Sequence, residues 1–251
     1  MHRNRITFRA LAVAGAAILL VAAAHAKVSA EFHKTVPLVS GSVAVKNING
    51  SVKIAAWDRN EVQIDAVKTA ETQQKLDEAT IEVTTSPGRV EIETKYPSGE
   101  HHNPASVEYT IHVPRKANLD GIRLVNGSLD VTGLAGSVDA ESVNGAVHID
   151  GAVGSLRANS VNGRVDATIT SLTGQPINLE AVNGALELRL PANASATIKA
   201  ETVNGDVSTD FSLAVEHAQY GPGASLKGKL GDGNTSIHLN TVNGSIHISR
   251  I

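Results

Sequence analysis

Acidic and imidazole side chains recur at one point of a repeated pattern, four residues after an Asn-Gly pair: Asp130, His148, Asp166, Glu187, Ser208 and His247. If the repeats stack as β-strands about 4.8 Å apart, Asp130, His148 and Asp166 stand side by side. Carboxylate oxygen and imidazole nitrogen suit a divalent cation. The plainer reading is a solvated polar stripe, and one histidine between two acids favours it. Acid–base catalysis by paired carboxylates is the second chemistry to weigh. Asp139 with Glu141, and Glu180 with Glu201 on the next repeat, are the candidate pairs. Arg123, Arg157 and Lys199 are interleaved with them, as on an ordinary soluble surface. His101-His102 falls in a loop-like run, residues 98–105, where adjacent histidines are usually just exposed. The sequence carries no nucleophile elbow, phosphate loop or zinc-ligand spacing. The expectation is no catalytic residue, no cofactor and no metal.

What positions these side chains is a repeat. Seven Asn-Gly pairs begin at Asn49, Asn126, Asn144, Asn162, Asn183, Asn204 and Asn243, and six of them follow a valine. From Asn126 the spacings are 18, 18, 21, 21 and then 39 residues, the last about two further units. Aligned on the asparagine, apolar residues recur six and four positions before it and three and five after it, with polar residues between. Each repeat therefore supplies two strands with one apolar face. Two architectures accommodate this pattern. Asn-Gly between alternating runs is a hairpin signal, which would make an antiparallel meander. Repeats this alike favour a parallel solenoid. There Asn126, Asn144, Asn162, Asn183, Asn204 and Asn243 would stack as an amide ladder. Gly127, Gly145, Gly163, Gly184, Gly205 and Gly244 would take the positive φ of a corner. Five Asn-x-Ser/Thr matches, at Asn49, Asn126, Asn193, Asn234 and Asn243, coincide mostly with turns and are read as turn chemistry.

Ahead of the clear repeats, residues 42–46, 51–55, 62–67, 81–85, 90–94 and 107–113 alternate like strands. Ala70 to Ala79 is polar, rich in helix formers, and predicts one short surface helix. Trp57, the single tryptophan, is expected to cap the N-terminal end of the core. The first 26 residues have three arginines, an apolar run from Ala10 to Ala23, and Ala24-His25-Ala26, the pattern of a cleaved secretory signal peptide. Removing them leaves 19 of the 22 basic residues against 25 acidic ones, a net charge of −6. That charge, with no basic patch, argues against nucleic acid as a partner. There is no cysteine, hence neither a disulfide nor a thiol for lipid attachment. Aromatic residues make up only 3% of the chain, too few for the usual sugar-stacking platforms.

The segment Gly50 to Asp58 (GSVKIAAWD), followed by Glu61 to Lys68 (EVQIDAVK), resembles the opening of a bacterial putative-adhesin domain family of unknown function. Tyr109 to Pro114 (YTIHVP) is similar to that family's strand before its Asn-Gly repeats, and Lys229 to Asn234 with Leu239 to Ile246 is similar to its closing repeats. The resemblance spans nearly all of the chain after residue 26. It implies an exported β-solenoid and carries no catalytic residue.

Together these observations predict an all-β chain, a single-stranded parallel β-helix (β-solenoid) with a less regular β-rich N-terminal part and one short helix. The divisions are 1–26 signal peptide, 27–118 N-terminal part and 119–251 repeat stack. The expected role is interaction or structure in the cell envelope: periplasm, cell surface or extracellular, with an unknown envelope protein or surface polymer as partner. No transmembrane segment is expected after signal cleavage. Weak self-association through an open strand edge at Ser245 to Ile251 is also expected. A β-helix polysaccharide lyase or hydrolase and an envelope-stress sensor are the competing readings.

Overall fold

Alternation decides the folding. Wherever every second residue is aliphatic, a strand buries one face and wets the other, and the described residues form 21 strands in two mixed sheets. The computed structural model describes residues 27–97, 104–151, 154–218 and 222–251. The predicted signal peptide and His101-His102 lie outside the described residues.

In the middle of the molecule each repeat lays one strand in each sheet. The first sheet receives β8 (Asn118–Asn126), β10 (Val138–Asn144), β12 (Leu156–Ser160) and β14 (Ile177–Asn183). The second receives β9 (Leu129–Thr132), β11 (Val147–Asp150), β13 (Val165–Thr168) and β15 (Leu186–Leu190). Pairing is parallel and in register, with Val138 opposite Leu156 and Val147 opposite Val165. Asn-Gly therefore turns the chain from one sheet into the other, and the antiparallel meander is excluded for this stretch. The inward residues form one continuous core. Leu156, Ile149, Leu179 and Leu188 are essentially without exposure, each worth roughly 1.5–3 kcal/mol of burial before ordering costs.

The last repeats do not stack in chain order. After β15 the chain makes β16 (Ala196–Asn204) and β17 (Val207–Thr209), then β18 (Val215–His217) and β19 (Ala224–Leu230), and closes with β20 (Thr235–Asn243) and β21 (Ile246–Arg250). β20 lies between β14 and β16, and β21 lies between β15 and β17. β19 runs antiparallel along the outer side of β16, so the returning chain takes the slot inside it. This corrects two expectations. The 39-residue interval is an excursion followed by an inserted repeat, not two units in succession. The C-terminal strand is paired on both sides, so it offers no open edge for self-association.

The other end is closed by antiparallel strands. β1 (Val28–Pro37), β4 (Glu61–Ala70) and β7 (Ser106–Pro114) extend the second sheet beyond β3 (Val52–Trp57). The hairpin β5 (Thr80–Ser86) and β6 (Arg89–Lys95) extends the first sheet beyond β2 (Ser42–Asn49). Both sheets are thus mixed, and the uniformly parallel arrangement holds only for the middle. β1 was not foreseen, because Glu31, His33 and Lys34 blur its alternation. Its free edge is blunted by Lys34, whose Nζ reaches the Val83 carbonyl at 3.4 Å. The helix α1 (Gln73–Glu78) is shorter than the predicted Ala70–Ala79 span. Thr72 Oγ1 accepts the Lys75 N–H at its start, and Lys68 Nζ donates to the carbonyls of Leu76 and Ala79 at its end. No helix among the described residues is long and apolar enough to cross a membrane.

Candidate functional site

The Asn-Gly corner is built three times over from the same residues. First, the asparagine amides run in one direction from repeat to repeat. Asn126 Nδ2 donates to Asn49 Oδ1, Asn144 to Asn126, Asn162 to Asn144, Asn183 to Asn162, Asn243 to Asn183 and Asn204 to Asn243, all at 2.8–2.9 Å. Near the start of the row the Tyr96 hydroxyl donates to the Ala105 carbonyl at 2.8 Å, and burial pushes its pKa up to about 12.

Second, each glycine is dictated by contact with the next strand. A Cβ on Gly145 or Gly163 would sit 2.1 Å from the carbonyl oxygen of the Asn-Gly glycine on the adjacent repeat, and the same holds at Gly127, Gly205 and Gly244. Of the seven Asn-Gly glycines only Gly50 has a positive φ, +114°. The predicted positive φ at the other corners is thereby corrected. Close packing between repeats, not backbone handedness, excludes a side chain there.

Third, the small residue two before the asparagine points inward and is buried. Where it carries a hydroxyl it donates to the neighbouring glycine carbonyl: Ser142 to Gly127, Ser160 to Gly145, Thr241 to Gly184 and Thr202 to Gly244, at 2.8–3.2 Å.

Beside this corner runs the most unusual surface of the molecule. The residue before each asparagine points outward, giving an exposed aliphatic row across seven strands: Ile48, Val125, Val143, Val161, Val182, Val242 and Val203. The first six are about two-fifths exposed and Val203 is 58% exposed. Exposed aliphatics are unremarkable singly, but these stand side by side on neighbouring strands and make a continuous apolar stripe. All of the row but Val203 forms one wall of a groove of about 660 Å³ on the outer face of the first sheet. The facing column includes Lys46, Arg123, Glu141, Asn159, Glu180 and Asn240. Lys46 pairs with Glu91 at 2.7 Å, which holds that carboxyl below its usual range and raises the lysine. The sequence held the signal for this row, since a valine precedes six of the seven asparagines. Which way that valine points followed only from the corner's geometry.

Three of the four carboxylates proposed for acid–base work are paired with basic side chains. Arg123 bridges Asp139 at 2.9 Å and Glu141 at 3.2 Å. Glu180 and Glu201 are not on adjacent strands, because Asn240 stands between them. Glu201 pairs with Lys199 at 3.0 Å. On the second sheet Asp130, His148 and Asp166 do stand on successive strands, followed by Glu187, His247 and Ser208 in the inserted order. Arg164 binds both Asp166 and Glu187, and Arg189 also binds Glu187. These carboxylates raise the Arg164 pKa, the Asp166 hydrogen bond first among them. Among the described residues no three histidine, aspartate or glutamate side chains group to hold a metal.

Trp57 does not cap the core. It lies half-buried on the outer face of the second sheet, stacked on His112 with ring centroids 5.1 Å apart and with the Arg59 guanidinium over it at 4.7 Å. The aromatic side chain that does enter the core is Tyr109, buried among the aliphatics and hydrogen-bonded through its hydroxyl to Thr94 at 2.6 Å. Burial pushes the Tyr109 pKa up to about 12. On the same outer face, His33 bonds Asp65 at 2.8 Å and Glu31 at 3.4 Å, contacts that raise the histidine pKa.

Two sheets of in-register repeats, joined at self-stacking corners, define a repeat-built all-β protein. The chain belongs to the Toastrack DUF4097 family, whose profile matches residues 33–249, and the resemblance at Gly50 to Asp58 and the closing repeats is to this kind of domain. No curated protein is similar to it in sequence. Among solved structures, a putative cell adhesion protein from Clostridium sporogenes is 18% identical and superposes with a TM-score of 0.52 over 89% of this chain and 100% of the other. A putative adhesin from Bacteroides fragilis is 10% identical, with a TM-score of 0.36 over 88% of this chain and 97% of the other. The first likeness establishes a shared fold.

Proposed function

We propose that this chain is an exported envelope protein of adhesin-like type, a β-solenoid scaffold that acts by binding and not by catalysis. The observation that carries this reading is the unbroken row from Ile48 to Val203, a continuous aliphatic stripe across neighbouring strands. Burial in a partner is the physical use of such a row. Residues 27–118 serve as the closed end of the scaffold and residues 119–251 as the repeat stack. The signal-like first 26 residues support export, and the name of the Clostridium protein of the same fold supports adhesion. The commitment of Asp139, Glu141 and Glu201 to basic partners weighs against a polysaccharide lyase or hydrolase. Asn126, Asn144, Asn162, Asn183, Asn204 and Asn243, with their glycines, hold the scaffold and touch no ligand.

The test uses the chain from Lys27 onward. It should bind isolated bacterial envelopes and release no new sugar ends from a panel of polysaccharides. Replacing Val143, Val161 and Val182 together by aspartate should abolish envelope binding while the melting temperature stays within a few degrees. Sugar release, or envelope binding indifferent to the triple substitution, overturns the reading.

A further inference from the structure

At the corner opposite the asparagine ladder, the connections between repeats differ in length. Five residues join β9 to β10, whereas eight join β13 to β14. The extra residues are those that lengthen the repeat from 18 to 21 after Asn162. In repeat folds such additions gather as loops on one face, often the binding face. Here the β13–β14 connection (169–176), the β15–β16 connection (191–195) and the β19–β20 connection (231–234) converge, although the third is distant in sequence. It is the insertion of β20 beside β14 that brings it there. Between them lies a cleft of about 510 Å³, within the range of small-molecule sites.

The chemistry of this cleft is uniform. None of its lining residues is charged. The side chains of Thr170, Ser171, Thr173, Asn193 and Asn234 line it and form no hydrogen bond with any described residue, leaving hydroxyls and amides that both donate and accept. Thr235 also lines it, is fully buried, and its Oγ1 has no hydrogen-bond partner. A buried polar atom without a partner is costly and calls for an explanation. The frame, by contrast, is fixed. Ser195 Oγ accepts the N–H groups of Asp232 at 3.1 Å and Asn234 at 3.4 Å. Thr197 Oγ1 donates to the Gly233 carbonyl, and the Thr235 N–H donates to the Ser195 carbonyl.

Resting on the interaction role proposed above, we propose that this cleft binds a neutral saccharide segment of a surface polymer. Neutral hydroxyls satisfy uncommitted hydroxyls and amides in both directions. A phosphate, sulfate or uronate would find no cation there, and an ammonium group no carboxylate. With no aromatic platform in the cleft, recognition is by hydrogen bonding, and Leu172 and Pro191 supply the apolar contact.

The experiment is calorimetric titration of the chain from Lys27 onward with neutral gluco-, manno- and galacto-oligosaccharides, and with sulfated and uronate counterparts. At least one neutral series should bind, and its acidic counterpart at least about tenfold more weakly. Ser171→Lys and Asn193→Lys, both at exposed loop positions, should each weaken neutral binding about tenfold or more without lowering the melting temperature. The Val143, Val161 and Val182 triple aspartate variant should leave it unchanged. Absence of binding by any neutral series overturns the proposal, as does binding indifferent to both lysine substitutions. Saccharide binding lost only in the triple variant would leave the interaction role standing and move the saccharide to the aliphatic groove.

Discussion

The middle of the stack and its N-terminal end solve the same problems with different residues. In the middle, each polar group at the corner is satisfied by the equivalent group one repeat away. Asn162 donates to Asn144 and accepts from Asn183, and Ser160 reaches Gly145. At the end there is no further copy, so each job needs its own residue. Asn47 replaces the inward serine, sending Nδ2 to the carbonyls of Gly50 and Val107 at 3.0 and 2.8 Å. Tyr109 and Thr94 form a buried polar pair across the two sheets at 2.6 Å. Repetition lets one local solution serve every strand, whereas a terminus must be built individually.

The sharpest way to break the middle is Gly163→Ala. Its Cβ would fall on the Gly145 carbonyl, and backbone cannot yield as a flexible side chain does. A loss on the order of 4 kcal/mol is expected in chemical denaturation. A loss below about 1 kcal/mol would mean the corner has slack. Leu156→Ala follows at about 3 kcal/mol through the cavity it leaves, and a melting temperature unchanged by it would remove that face from the core.

At the end, alkali is the probe. Tyr109 stays neutral in the folded chain up to about pH 12, while in the unfolded chain it ionises near pH 10. Stability should therefore fall as pH rises from 10 to 12, by about 2 kcal/mol for this residue. Tyr109→Phe should flatten that slope; an unchanged slope would show the hydroxyl is not protected.

Within the asparagine row, position should matter. Asn162→Ala strands a partner on each side and should cost about 1–3 kcal/mol. Asn204→Ala, which breaks one bond at the open end of the row, should cost less than half as much. Equal losses would mean that the row does not act as a row.

The smallest effect belongs to His33 on the edge strand. Its pKa is raised by Asp65 and then Glu31. Its contribution is complete below the unfolded histidine value and is lost as pH rises through the folded one. Replacing His33 by alanine should remove a shallow decline in melting temperature across that window and leave the acid side of the curve lower.

Much of this was legible in the residues. The two-strand repeat follows from apolar positions six and four before, and three and five after, each asparagine, because side chains alternate along a strand regardless of context. Of the six N-terminal strands predicted from alternation, five fall within observed ones, and the span 51–55 begins one residue ahead of β3. What failed was information held by neighbours. Gly163 looks like a turn glycine and is instead a contact glycine, since the carbonyl that excludes a side chain belongs to another repeat. Trp57 looks like core and lies outside, because its strand buries Val52 and Ile54, and Trp57 itself stacks on His112 from β7.

The sequence by itself determined the repeated strands of the stack, the place of each corner and the inward core positions, because alternation and the Asn-Gly period are local and the same in every repeat. Only the tertiary structure decided the order of the final repeats, the outward row of valines as a groove wall, and the meeting of three loops around Thr235. Equivalent repeats are nearly interchangeable as neighbours. Their period therefore sets how each strand pairs, while the antiparallel cover on β16 decides which repeat sits beside which.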